Sequence, residues 1–154
     1  MQRSAQLEPA LSQYVEMIVE ASLQMTELLE KLGLAARIEA NRYEPVLVDV
    51  DTLTLARAAV ADAQGLGATV TTDPPTVERS LRAFADCAVK HGRVDAVTLA
   101  VDARELALAP VNGQAAPVIM GEELKDLGAA VALRAIRALD GEVEVRGDEL
   151  RIRL

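Results

Sequence analysis

Leu11, Ile18, Met25 and Leu32 recur every seventh residue, and Tyr14, Ala21, Leu28 and Ala35 interleave with them as a second seam. Val15, Leu29 and Ala36 widen the stripe on one side. A stripe of this breadth suits a helical bundle better than a narrow two-stranded seam. Glu16, Glu20, Gln24, Glu27, Glu30 and Lys31 fall between the apolar positions and suit a solvated face. No proline interrupts the chain between Pro9 and Pro45, so the spacing predicts one helix from about Leu7 to Asn41, roughly 50 Å long at 1.5 Å per residue. So long an apolar stripe must be covered. Nothing later in the sequence offers a second heptad helix of matching length, so the expected cover is a second copy of the same helix, or a similar helix from a partner. The bland alternative folds the helix back over the remainder of the chain. The expected dimer interface is Leu11, Tyr14, Ile18, Ala21, Met25, Leu28 and Leu32.

Past Pro45 the pattern changes. Val46 to Val48 reads as a short strand, followed by a helix capped at Asp49 or Asp51. A strand from Ala68 to Thr71 ends at Asp73-Pro74-Pro75, and a helix capped at Thr76 follows. Val77, Leu81, Phe84, Ala85 and Ala88 share its inner face, and Gly92 stops it. Two alternating runs come next, Val94 to Asp102 (Val97, Leu99 and Val101 inward) and Glu105 to Pro110. After the irregular stretch "VNGQAAPVIMGEELKD" come a helix from Gly128 to Leu139 and a hairpin, Glu142 to Val145 and Leu150 to Leu154, turning at Arg146-Gly147-Asp148. These elements predict an α+β protein. A long bundle helix, residues 1–44, precedes an α/β sandwich, residues 45–154, whose mixed, largely antiparallel sheet carries helices on one face.

Composition narrows the function. Aromatic residues make up only 2% of the chain, so nucleobases would find almost nothing to stack on. A net charge of −8 and a pI near 4.7 also argue against a nucleic-acid partner, because phosphate binding needs a basic face. No apolar run approaches a membrane span, and "MQRSAQLEPALSQ" lacks the apolar segment of a signal peptide. The expected setting is cytoplasmic. The one cysteine, Cys87, is expected to be a small core residue rather than a redox or metal group. With a single histidine as well, His91, little is left for zinc chemistry or a nucleophilic triad, and no metal ligands are expected.

Three words, in order, resemble the sensor histidine kinase family over about 140 residues. "LGLAARIEANR" with "VDVDTL" is similar to the end of the family's second dimerisation helix and the linker after it, typically "LARIEAGR" and "VDL". "SLRAFADCAVKHG" resembles the asparagine-bearing helix of the ATPase domain, usually "NLLENAIKHT". "DLGAAVALRAIRALDGEVEV" resembles the second glycine motif and its helix, "GLGLAIVRRIVEAHGGRIEV". The resemblance implies a Bergerat-type ATPase-like sandwich, a homodimer, and partners in two-component signalling: a response regulator or an intact histidine kinase.

The departures fall on the residues that would hold a nucleotide. In the family the helix asparagine holds the magnesium that bridges the ATP phosphates. Cys87 stands there, and Mg²⁺ prefers hard oxygen ligands. Asp86 takes the place of the usual glutamate, and Lys90 matches the family lysine. The first glycine motif, "DxGxG", falls on Val111-Asn112-Gly113-Gln114-Ala115. Gly113 is kept, the aspartate that accepts from adenine has become Val111, and the second glycine has become Ala115. In the second motif Gly128 is kept, but Asp126 replaces the leading glycine and sets a negative charge where phosphates would meet a helix start. Cys87, Lys90, Val111, Gly113, Asp126 and Gly128 therefore outline a relict nucleotide pocket, with no catalytic residue and no cofactor expected. His91 reads as an end-of-helix residue, where the family often has an aromatic or a histidine, rather than a phosphoacceptor, which the family carries on an upstream helix. Arg37, Glu39 and Arg42 read as a solvated charged face, or alternatively as an interdomain contact.

Four functions fit this reading. The first is a pseudo-histidine-kinase adaptor that dimerises and does not bind ATP. The second is the catalytic half of a split kinase, which binds ATP and magnesium and phosphorylates a histidine on a partner. The third is a phosphotransfer protein with a decayed ATPase domain, which needs a bundle histidine. The fourth is a domain whose relict pocket takes another small molecule, with "AAPVIMG" either lining that pocket or filling it.

Overall fold

The structure, a computed structural model, describes the backbone of residues 4–154 and the side-chain surroundings from Leu11 onward. Residues 1–3 of the expected helical segment lie outside it. The elements in chain order are α1 (Ser4–Glu39), β1 (Val48–Asp51), α2 (Thr52–Ala59), β2 (Gln64–Gly67), β3 (Thr69–Thr72) and α3 (Pro74–Gly92). They continue with β4 (Thr98–Ala103), β5 (Glu105–Ala109), α4 (Ala116–Ile119), α5 (Leu127–Ala138), β6 (Glu142–Arg146) and β7 (Glu149–Arg153). The chain divides into two compact units, residues 1–33 and Leu34–Leu154.

The described residues of the first unit, 4–33, all lie in α1. Its seam residues Leu11, Tyr14, Ile18, Met25, Leu28 and Leu32 are all exposed in the single chain, Leu28 least at 47%. Ala21 is exposed with them. The helix ends two residues before the expected Asn41. Asn41 takes a left-handed conformation at φ 52°, which side chains able to bond locally tolerate. The amides of Asn41 and Arg42 then close the last turn onto Ile38 and Arg37.

In the second unit, five strands form one sheet in the order β2-β4-β5-β7-β6, antiparallel except for the parallel pair β2–β4. Strands β1 and β3 make a separate antiparallel ribbon. Alternation puts Leu99, Val101, Leu106, Leu108, Val143, Leu150 and Ile152 on one face of the sheet. There they form one core with Leu55 of α2, Val77, Leu81 and Phe84 of α3, and Ala129, Leu133 and Ile136 of α5. The other face is wet. Across it Arg151 bridges Glu105 at 2.8 Å and Glu149 at 3.0 Å, and Arg153 meets Glu142 at 3.1 Å. This is the expected α+β sandwich.

Several details differ from the sequence reading. The first strand is Val48–Asp51 rather than Val46 to Val48, and Val46 and Leu47 are exposed. Of the two candidate caps for α2, Asp51 serves, its carboxylate accepting from the Thr54 amide at 3.0 Å. Strand β2 was not expected. Its Gly65 packs so closely against the Val101 carbonyl that a Cβ would collide with it. Helix α3 starts earlier than expected, with Pro74 and Pro75 at positions that need no amide hydrogen. Thr76 therefore lies inside the helix and is not its cap. At the other end the left-handed residue is Arg93, φ 53°, and Gly92 is the last helical residue. Strand β5 stops at Ala109, one residue before Pro110, and the next amide, Val111, donates instead to the Asp148 carbonyl at 2.7 Å. The stretch read as irregular contains the short helix α4, and α5 starts at Leu127.

Candidate functional site

Helix α3 presents Phe84, Cys87 and Ala88 to the core, all three fully buried. One turn beyond Cys87 on the same side, His91 emerges at the core's edge, with 18% of its side chain exposed. The residue that meets it comes from the far end of the site. Asp126 caps α5: its Oδ1 accepts from the Ala129 amide at 3.0 Å, which leaves Oδ2 at 3.3 Å from His91 Nε2. Cys87 completes the cluster. A thiol sulfur, an imidazole nitrogen and a carboxylate oxygen from these three residues all lie within 4.8 Å of one another. Burial pushes the Cys87 thiol up to about 12, and the Asp126 charge adds to this against the opposing effect of Lys90.

Beside the cluster a cavity of about 440 Å³ is lined by Lys90, His91, Arg93, Gly113, Gln114, Val118, Glu123 and Lys125. Lys90, Arg93 and Gly113 are exposed on its rim. Lys125 is paired with Glu123.

The loop after β5 forms the opposite wall. Val111 is fully buried in the core and brings no polar atom to its side-chain surroundings. Asn112 turns the chain: its Oδ1 accepts from the amides of Gln114 and Ala115 at 3.1 and 3.2 Å. Its Nδ2 donates to the Gly92 carbonyl at 2.7 Å and so closes the end of α3. A Cβ on Gly92 would sit against this Asn112 side chain at 3.4 Å, whereas a Cβ on Gly113 would meet nothing within 4 Å. Glycine at 113 is thus not required by a close neighbour. Ala115, Val118 and Ile119 of "AAPVIMG" are buried in the core, and Val118 also lines the cavity.

Of the six residues read as a relict pocket, Cys87 and Asp126 meet at the cluster, and Lys90 and Gly113 line the adjoining cavity. Val111 lies in the core, and Gly128 sits in the first turn of α5. His91 is the partly buried helix-end residue that the sequence suggests, and it also links the cluster to the cavity. The spacing of Cys87 and His91 was visible in the sequence, but the approach of Asp126 depends on α3 and α5 packing together. Arg37 and Arg42 are exposed as expected, while Glu39 bonds Arg134 of α5 at 2.9 Å.

No protein-family model matches the sequence, and no curated protein matches it. Solved structures do match the fold. Acinetobacter baumannii histidine kinase AdeS shares 17% identity at a TM-score of 0.61, over 84% of this chain and 77% of that one. Full-length ShkA, solved in complex with AMPPNP, shares 22% identity at a TM-score of 0.60, over 90% of this chain but 37% of its own length. The cytoplasmic segment of histidine kinase QseC shares 14% identity at 0.56, over 84% of this chain and 91% of that one. The chain has a sensor-histidine-kinase fold. No helix among the described residues is long and apolar enough to cross a membrane.

Proposed function

We propose that this chain is a non-catalytic adaptor or regulator of two-component signalling, which pairs through α1 and does not bind ATP. One constellation carries the reading. Where a kinase of this fold would contact adenine, magnesium and phosphate, this chain has a buried valine, a buried thiol and a carboxylate, at Val111, Cys87 and Asp126. Valine has no acceptor for an adenine amino group. A thiol is a poor ligand for Mg²⁺. A carboxylate at the start of α5 already takes the Ala129 amide and repels phosphate. Each loss can be compensated alone; three together remove the base, the metal and the anion sites at once. The exposed seam from Leu11 to Leu32 supports a homodimer through a helical bundle. The fold it shares with sensor kinases supports a response regulator or an intact histidine kinase as the partner.

The alternative is the catalytic half of a split kinase that binds ATP and magnesium and phosphorylates a partner's histidine. The likeness to ShkA, solved with AMPPNP, favours it. Two measurements on one sample separate them. Calorimetry with AMPPNP and Mg²⁺ is expected to give no binding heat, and solution mass is expected to be that of a dimer. Val111→Asp is expected to leave AMPPNP binding absent, because Cys87 and Asp126 remain. Saturable AMPPNP binding by the wild-type chain, or acid-labile phosphate on a partner incubated with labelled ATP, would overturn the adaptor reading. Rescue by Val111→Asp alone would overturn the account of why the site is silent.

A further inference from the structure

The cluster of Cys87, His91 and Asp126 brings three kinds of metal-ligating atom together at the junction of α3 and α5. Cys87 and His91 are one helical turn apart, so their separation is set by a helix packed into the core. Asp126 is fixed by its own cap bond: the Ala129 amide holds one oxygen and the other faces His91. The donor atoms lie within 4.8 Å of one another, before any ion draws them in. A tetrahedral ion with bonds of about 2.0–2.3 Å sets donor–donor edges of roughly 3.3–3.8 Å, so closure asks for side-chain shifts of about an ångström. Sulfur, nitrogen and oxygen in one set match a borderline cation rather than Mg²⁺ or Ca²⁺, which favour all-oxygen sites.

We propose that Cys87, His91 and Asp126 form a binding site for Zn²⁺, with three protein ligands and a fourth position open toward the cavity that His91 shares. Three protein ligands with one free position are the pattern of zinc sites that bind a further group. Ligation forms a sulfur–metal bond as the Cys87 S–H bond breaks and its proton passes to solvent, while His91 ligates as the neutral imidazole. One thiolate and one carboxylate balance the charge of the ion. The cationic side chains of Lys90 and Arg93 around the cavity, where Glu123 already pairs with Lys125, would then favour water or a small anion as fourth ligand. The proposal is independent of the adaptor reading and holds whether or not the chain pairs.

The full chain, stripped with chelator, is titrated with Co²⁺ as a spectroscopic stand-in and then with Zn²⁺. The expected result is one Co²⁺ per chain, with intense visible bands of a tetrahedral site and a near-ultraviolet thiolate-to-cobalt band. Zn²⁺ is expected to displace the Co²⁺ and Mg²⁺ to leave it in place. Cys87→Ser should abolish the thiolate band, and His91→Ala and Asp126→Asn should each weaken Zn²⁺ binding at least about tenfold. His91 lies at the core's edge, so His91→Ala tests the site even where a Cys87 variant folds poorly. Saturation at less than one ion per chain, a weak octahedral spectrum without the thiolate band, Mg²⁺ competing as tightly as Zn²⁺, or unchanged affinity in folded His91→Ala would each overturn the proposal.

Discussion

Tyr43 shows how one polar side chain fastens a loop to a helix start. Its hydroxyl lies 2.9 Å from Asp73 Oδ2 and 3.0 Å from Thr76 Oγ1, and both partners are buried. Asp73 stands at the cap position of α3 but makes no side-chain cap bond to it. Burial raises the Tyr43 phenol above its ordinary range, and the bond to Asp73 and the Asp73 charge act in the same direction, against the bond to Thr76 and the Arg37 charge. The sign of the pH dependence follows. The stabilisation is fully present below the ordinary phenol value of about 10 and is lost as pH rises through the higher folded value. Tyr43→Phe leaves the Asp73 carboxylate short of a donor, at an expected cost of about 1–3 kcal/mol in denaturant melts near neutral pH. The same variant should lose stability less steeply than wild type above pH 10.

Helix α1 is a single element with two environments along its length. From Leu11 to Leu32 its apolar residues are exposed, whereas Leu34 is buried with Val131 and Ala135 of α5, and Ala35, Ile38 and Tyr43 pack around them. Gly33 stands at the junction, where a Cβ would meet nothing within 4 Å. Substitutions on the two sides should therefore separate. Ile18→Glu places a charge in the proposed pairing seam and should halve the solution mass while leaving the urea midpoint of the core close to wild type. Leu34→Ala should leave the mass unchanged and lower stability by about 2–5 kcal/mol, the cost of emptying a packed leucine site. Light scattering and urea melts on both variants check the contrast.

At the scale of the whole molecule, what the sequence revealed was whatever is local and periodic. The α1 seam, the inward sets Leu99–Val101 and Leu106–Leu108, and the closing hairpin repeat at 3.6 or 2 residues and were legible on that account. Strand β2 was not. "QGLG" has no alternation, is exposed at all four residues, and exists through pairing with β4, thirty-odd residues away. Helix α3 starts at Pro74 because the paired prolines suit its first turn, and this outweighs the capping preference of Thr76. At the site, the residue types at Cys87, Val111 and Asp126 could be read in order, but not the meeting of Cys87, His91 and Asp126, because it belongs to the α3–α5 packing. The bonds of Asn112 make Asn112-Gly113 an ordinary turn. A single amide side chain holds three backbone groups, one on α3 and two at the approach to α4. The loop after β5 is thereby tied to the end of α3. Opening it means breaking those three bonds together, so the Ala115 amide should exchange with deuterium as slowly as the core of α3. Asn112→Ala should speed exchange there by an order of magnitude or more, since about 1.4 kcal/mol suffices for tenfold. A loop clasped in this way and the end of α3 move as one piece and present one fixed surface.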